Sequence, residues 1–99
     1  MILRLEFLPG KRDEGLAALD TMTPVVADED GVWHYSFHVD TQDDDVLWAV
    51  EVYADMDALM GHSGTEQFTE LLATLEPLLA TPLAPAMCTP VPIGKGLPI

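Results

Sequence analysis

Residues 2–8, ILRLEFL, alternate in character. Leu3, Leu5 and Phe7 share one face and Arg4 and Glu6 the other, which predicts a β-strand. Pro9-Gly10 breaks it. In KRDEGLAALDTM, Leu16, Leu19 and Met22 recur at helical spacing, and Pro24 is expected to end or kink this first helix. The loop ADEDG leads to VWHYSFHV, where Trp33, Tyr35, Phe37 and Val39 alternate with Val32, His34, Ser36 and His38. The acidic turn DTQDDD separates this strand from VLWAVEVY, so the two read as a hairpin joined by a longer loop. Asp55 is a suitable N-cap for a short helix expected to carry Met56, Leu59 and Met60 inward. His62-Ser63-Gly64 interrupts it. Thr65 caps another helix, in which Phe68, Leu71, Leu72, Leu75 and Leu79 follow amphipathic spacing and Pro77 bends or ends the last turn. LAPAMCTPVPI is apolar and strand-compatible, but its prolines confine it to a sheet edge.

The order β-α-β-β-α-β predicts an α+β fold of ferredoxin-like topology, a four-stranded antiparallel sheet with both helices on one face. Residues 1–92 form the single expected domain and 93–99 a C-terminal tail. The helix-facing side is expected to hold Leu3, Leu5, Phe7, Trp33, Tyr35, Phe37, Trp48, Val50 and Val52. The other face then collects Arg4, Glu6, His34, Ser36, His38, Glu51 and Tyr53 with Ile2, Leu47 and Ala49. That mixture is too apolar for plain exposure, so a homodimer is expected through the Arg4, Glu6, His34, His38 and Glu51 face.

Composition narrows the function classes. With 99 residues and 48% hydrophobic side chains, the chain can bury one core. Its formal charge of −13, from 17 acidic and 4 basic residues, repels phosphate backbones and anionic membrane surfaces. The clusters at 28–30 and 43–45 read as solvated surface, because Asp43-Asp44-Asp45 lacks the ligand spacing and central glycine of a calcium loop. No apolar run is long enough to span a bilayer. The strand-like N-terminus does not resemble a signal peptide, and the single cysteine, Cys88, suits a reducing compartment, so a cytoplasmic location is expected. Cys88 itself reads as a small buried hydrophobe.

The stretch VEVYADMDALMGHSGTEQF carries a family resemblance. Glu51, Tyr53, Asp55 and Ala58-Leu59 followed by His62 resemble the E-x-W/Y-x-D-x-x-A-L signature and helix-end histidine of the antibiotic biosynthesis monooxygenase domain. LPGKRDEGLAAL resembles the start of that family's first helix, and EDGVWHY its approach to the second strand. The resemblance spans about residues 2–92. It implies a dimeric α/β barrel, two ferredoxin-like sheets packed face to face. It also implies relatives that oxidise quinols or anthrones without metal or flavin, or that degrade haem. This chain contains no asparagine, whereas the haem-degrading branch is marked by one on the first strand, where Arg4, Leu5 and Glu6 stand here. Anthrone oxygenases use a strand asparagine and a helix tyrosine; the nearest positions are Ala49 and Leu59. Both departures turn the expectation towards quinol-type substrates.

Oxygenation without metal or flavin needs an electron-rich substrate, a base near its hydroxyl and an apolar pocket. Trp33, Tyr35, Phe37, Trp48, Met22, Met56, Met60 and Phe68 are the expected pocket wall, although a small core needs the same residue types. His62 is the expected base, with a helix-terminating role as the alternative. Glu51 and Tyr53 complete the expected catalytic set, in orienting roles. His34 and His38 share a strand face and could meet a metal with Glu51 or Glu6, but no sequence motif calls for one. No metal, haem or flavin is expected. The leading reading is therefore a cofactor-independent monooxygenase acting on a small electron-rich aromatic. The alternatives are a dimeric binding or regulatory module without turnover, and an isomerase or cyclase acting on a small ketone or lactone.

Overall fold

A computed structural model describes residues 1–97. The elements follow the order β1 (Ile2–Glu6), α1 (Arg12–Asp20), α2 (Thr23–Ala27), β2 (Val32–Val39), β3 (Val46–Tyr53), α3 (Met56–Ser63), α4 (Glu66–Leu75) and a 3₁₀ turn (Glu76–Leu78). The strands form an antiparallel sheet in the order β1-β3-β2. The fold is thus α+β, as the alternation predicts. Pro24 does not simply stop the first helix; it sits in the first turn of the short α2, where its missing N–H costs nothing. Among the described residues, no helix is long and apolar enough to cross a membrane.

The expected fourth strand is absent among the described residues. The chain after α4 runs antiparallel beside β1 but joins it at only two bridges, Phe7 with Leu79 and Ile2 with Ala86. Leu8 and Ala80 N–H groups reach Leu78 and Glu6 carbonyls at one end, and Ile2 and Ala86 exchange bonds of 3.0 and 2.8 Å at the other. Between the bridges, Pro82 and Pro85 supply no N–H, so a ladder cannot close. Residues 98 and 99 of the expected tail lie outside the described residues.

Register decides which side chains meet the helices. Leu3 stands opposite Ala49, Leu5 opposite Leu47, Phe37 opposite Ala49 and Tyr35 opposite Glu51. Directly opposed residues share a face, so the inner side of β3 carries Leu47, Ala49, Glu51 and Tyr53. Trp48, Val50 and Val52 are on the outer side, the reverse of the sequence expectation. The reversal has a physical reason: both sets in β3 are apolar, and a one-residue slip exchanges them completely. Leu5, Phe7, Leu19, Met22, Leu47, Ala49, Leu71 and Leu75 form the buried core between sheet and helices.

The acidic loop between β2 and β3 is structured by its own carboxylates. Asp40 Oδ1 accepts from the Gln42 and Asp43 amides, and Asp43 Oδ1 accepts from Asp45. These are Asx turns, which shape the loop as well as solvating it. Asp40 also accepts the Trp48 indole N–H at 2.8 Å on the outer face, and that bond holds its carboxyl below the usual range.

Candidate functional site

Between the inner sheet face and α3 and α4 lies a cavity of about 350 Å³. Tyr35 and Phe37 from β2, Glu51 and Tyr53 from β3, Leu59 and His62 from α3, and Phe68 from α4 line it, with leucines closing the core side. Leu83, Pro85 and Met87 of the last segment form part of its rim.

Helix α3 delivers His62. Asp55 caps its start, accepting from the Ala58 amide at 2.8 Å. At its end, Gly64 N–H reaches Met60 O at 2.9 Å, Ser63 Oγ bonds Leu59 O, and Thr65 Oγ1 bonds His62 O at 3.0 Å. The terminal carbonyls are therefore served by Ser63, Gly64 and Thr65, and the imidazole is left for other work. A tight contact fixes the helix against the sheet: a Cβ placed on Gly31 would lie 2.6 Å from Ala58 Cβ.

The imidazole is 2% exposed. It is ringed by Tyr35, Tyr53 and Phe68, at centroid distances of 5.5, 5.7 and 5.4 Å. Its Nδ1 lies 2.8 Å from Glu29 Oε1, while its Nε2 is buried with no hydrogen-bond partner among the described residues. An ionised carboxylate only accepts, so Nδ1 carries the proton of this bond, and in the neutral form of the ring the lone pair is on Nε2.

Glu51 is 4% exposed and accepts the Tyr53 hydroxyl at 2.5 Å. Burial pushes its carboxyl above the usual range, and the Tyr53 hydroxyl and the neighbouring His62 partly offset this. Burial likewise raises the phenols of Tyr35 and Tyr53. Nearby Glu51 adds to both, through charge at Tyr35 and through the hydrogen bond at Tyr53. Both tyrosines stay neutral at physiological pH.

The structure brings His62, Tyr53, Glu51, Tyr35, Phe37 and Phe68 to this one cavity. The remaining candidates lie elsewhere. A register irregularity between Val32 and His34 turns Trp33 out to solvent. Trp48 is on the outer sheet face. Met60 is 63% exposed and Met56 similarly open, because α3 turns Leu59 and His62, one turn apart, to the cavity instead. Cys88 is exposed and not buried as expected. His34 and His38 flank Ser36, with both Nε2 atoms 2.7–2.8 Å from its hydroxyl, on the face away from Glu51. No group of three metal-ligating side chains occurs among the described residues. Glu29 was not anticipated: one acid among DED, its only signal was its position three residues before β2.

Residues 1–74 match the family model for antibiotic biosynthesis monooxygenase. Rv0793 from Mycobacterium tuberculosis superposes with a TM-score of 0.84 at 28% identity, covering 95% of this chain and 95% of that one. A candidate antibiotic biosynthesis monooxygenase from Caulobacter crescentus CB15 gives 0.77 at 31% identity, covering 84% and 79%. Another from Chloroflexus aurantiacus J-10-fl gives 0.77 at 25%, covering 96% and 92%. No curated protein matches the sequence. The family match over three quarters of the chain, together with these folds, carries one conclusion: the chain belongs to the antibiotic biosynthesis monooxygenase family.

Proposed function

We propose that the protein is a cofactor-independent monooxygenase that oxidises a small, electron-rich hydroxyaromatic of the quinol type with O₂. The observation that carries this reading is the His62 imidazole, buried among aromatic rings, with Nδ1 held by Glu29 and Nε2 unpartnered. Such a nitrogen is a general base for a ligand hydroxyl. Family membership supports the oxygenase class.

In this reading Nε2 takes the hydroxyl proton. The resulting phenolate passes one electron to O₂, and the radical pair combines to form a C–O bond at a ring carbon. His62 returns its proton to the peroxide oxygen. The O–O bond then breaks as the ring C–H proton is lost, leaving a carbonyl and releasing water. One oxygen atom ends in the product and one in water, and the substrate supplies all the electrons. The neutral tyrosines, Phe37, Phe68 and the leucines keep the cavity apolar, which raises the cost of the charge unless the base is placed correctly.

We propose further that the protein is a homodimer through the outer sheet face. Trp48 and Ile2 are exposed there beside the Arg4–Glu6 ion pair and the His34-Ser36-His38 row. Glu51 points to the cavity and takes no part in that face.

Mass spectrometry of 1,4-dihydroxynaphthalene turned over under ¹⁸O₂ tests the activity. Incorporation of one labelled atom, above the enzyme-free rate, is expected. Accelerated quinone formation without label would contradict oxygenation.

A further inference from the structure

We infer that the cavity continues around a corner of the sheet into an apolar chamber that takes an aliphatic side chain on the bound ring; this rests on the reading of the cavity as the substrate site. The second chamber, of about 450 Å³, lies at the far end of β3. Its own walls include Val50 and Val52 of β3, Ala54 and Met56 at the entry to α3, and Thr89 and Pro90 of the last segment. Met1, Glu51, Tyr53, Leu59 and Met87 line both spaces. Strand register explains how one set of residues serves two chambers. β1 starts at Ile2, opposite Val50, and only the Met1 backbone continues its line. Met1 accepts the Glu51 amide at 3.0 Å and donates to the Glu51 carbonyl at 2.7 Å. Beyond it, Val52 and Tyr53 have no strand on that side among the described residues. The sheet therefore ends in an open corner, with Val52 on its outer side and Tyr53 on its inner side.

The chemistry of the second chamber is aliphatic. Its polar groups near the junction are already engaged. Glu51 accepts the Tyr53 hydroxyl, the Met1 amino group is held by the Glu51 carbonyl, and Asp55 accepts the Ala58 amide as the cap of α3. The rest of the wall is dominated by valine, methionine, leucine and proline. Met56 and Met87 are each more than half exposed, and large apolar side chains left in water around one concavity mark a ligand groove. Methionine is unbranched and repacks readily around a flexible chain, and three of the wall residues, Met1, Met56 and Met87, are methionines. The ring lies beside His62 in the inner cavity, and its side chain leaves between Leu59 and Met87, which border both spaces. Each methylene moved from water into the chamber then strengthens binding by about threefold.

The test is binding, measured anaerobically by titration calorimetry on the full chain. The probes are 1,4-dihydroxynaphthalene and its 2-ethyl, 2-butyl and 2-hexyl derivatives. Affinity is expected to rise by about threefold per added methylene, or about 10²-fold from ethyl to hexyl. Val52→Phe and Thr89→Trp enlarge side chains on two different walls that border the second chamber and not the inner one. Each should flatten the chain-length gradient while the parent compound binds as it does to the wild type. Equal binding of the ethyl and hexyl compounds by the wild type overturns the inference while leaving the inner cavity as a binding site. A gradient that survives both substitutions overturns it equally, because the chain is then held elsewhere. Failure of the whole series to bind removes the substrate-site reading itself, and this inference with it.

Discussion

His62 Nδ1 and Glu29 Oε1 stand 2.8 Å apart although 33 positions separate them in the chain. The bond joins the end of α3 to the loop before β2, and that loop is pinned on both sides of Glu29. Its amide bonds Val26 O and its carbonyl accepts from Val32 N, each at 3.0 Å. An acid held this firmly fixes the tautomer and direction of the ring it bonds.

Glu29→Gln should therefore disturb His62 without unfolding the protein. The carboxamide can present its own N–H to Nδ1, which moves the ring proton to Nε2 and removes the lone pair needed there. Nitrogen NMR of the imidazole is expected to show the tautomer exchange, with a loss of about 10-fold or more in turnover. An unchanged tautomer and unchanged rate would mean that Glu29 is a surface partner only.

Glu51 gives a stability prediction with a definite sign. Its folded-state carboxyl is raised, so between the ordinary carboxylate range and that raised value the native state holds a proton that the unfolded chain has lost. Its contribution to stability is thus fully present at acid pH and lost as pH rises through the folded value. Glu51→Gln, which keeps the shape and an acceptor for Tyr53, should melt higher than wild type at neutral pH, with the difference vanishing on acidification. Calorimetric melting across pH checks this; a variant less stable at neutral pH would contradict it.

Gly31→Ala should cost about 1–3 kcal/mol, because the added Cβ meets Ala58 Cβ at 2.6 Å and α3 must move off the sheet. Denaturant unfolding measures the loss. Since α3 carries His62, the same substitution should also loosen the bond to Glu29. A variant as stable as wild type would show that the contact relaxes freely.

The chain's 10.8 kDa mass makes the assembly easy to read. Light scattering at micromolar concentration is expected to give twice that mass, and Trp48→Glu, on the outer face, to halve it. A monomeric wild type would contradict the dimer.

Much of the fold was legible because its signals are local. Leu3, Leu5 and Phe7 alternate, Phe68, Leu71 and Leu75 keep helical spacing, and Asp55 and Thr65 are the observed caps. Each of these patterns has one physical solution. The face of β3 was not legible, since Leu47 and Ala49 compete with Trp48 and Val50 on equal apolar terms and only pairing with β1 and β2 decides. The same ambiguity hid the position of Glu51 and drew Trp48 into the expected pocket. His62, Glu51 and Tyr53 stood out through the family pattern. Glu29 did not, because a contact spanning 33 residues leaves no trace in spacing. The fourth strand was over-read: apolarity and β-compatibility in LAPAMC count for less than the two missing proline N–H groups.

The central claim is that His62 is a base. Oxygen uptake with 1,4-dihydroxynaphthalene, corrected for autoxidation and compared between wild type and His62→Ala, tests it most directly. The account predicts a loss of about 10²-fold or more in the enzyme-dependent rate. A His62→Ala variant that is destabilised by loss of the buried ring yet consumes oxygen at the wild-type rate would contradict it.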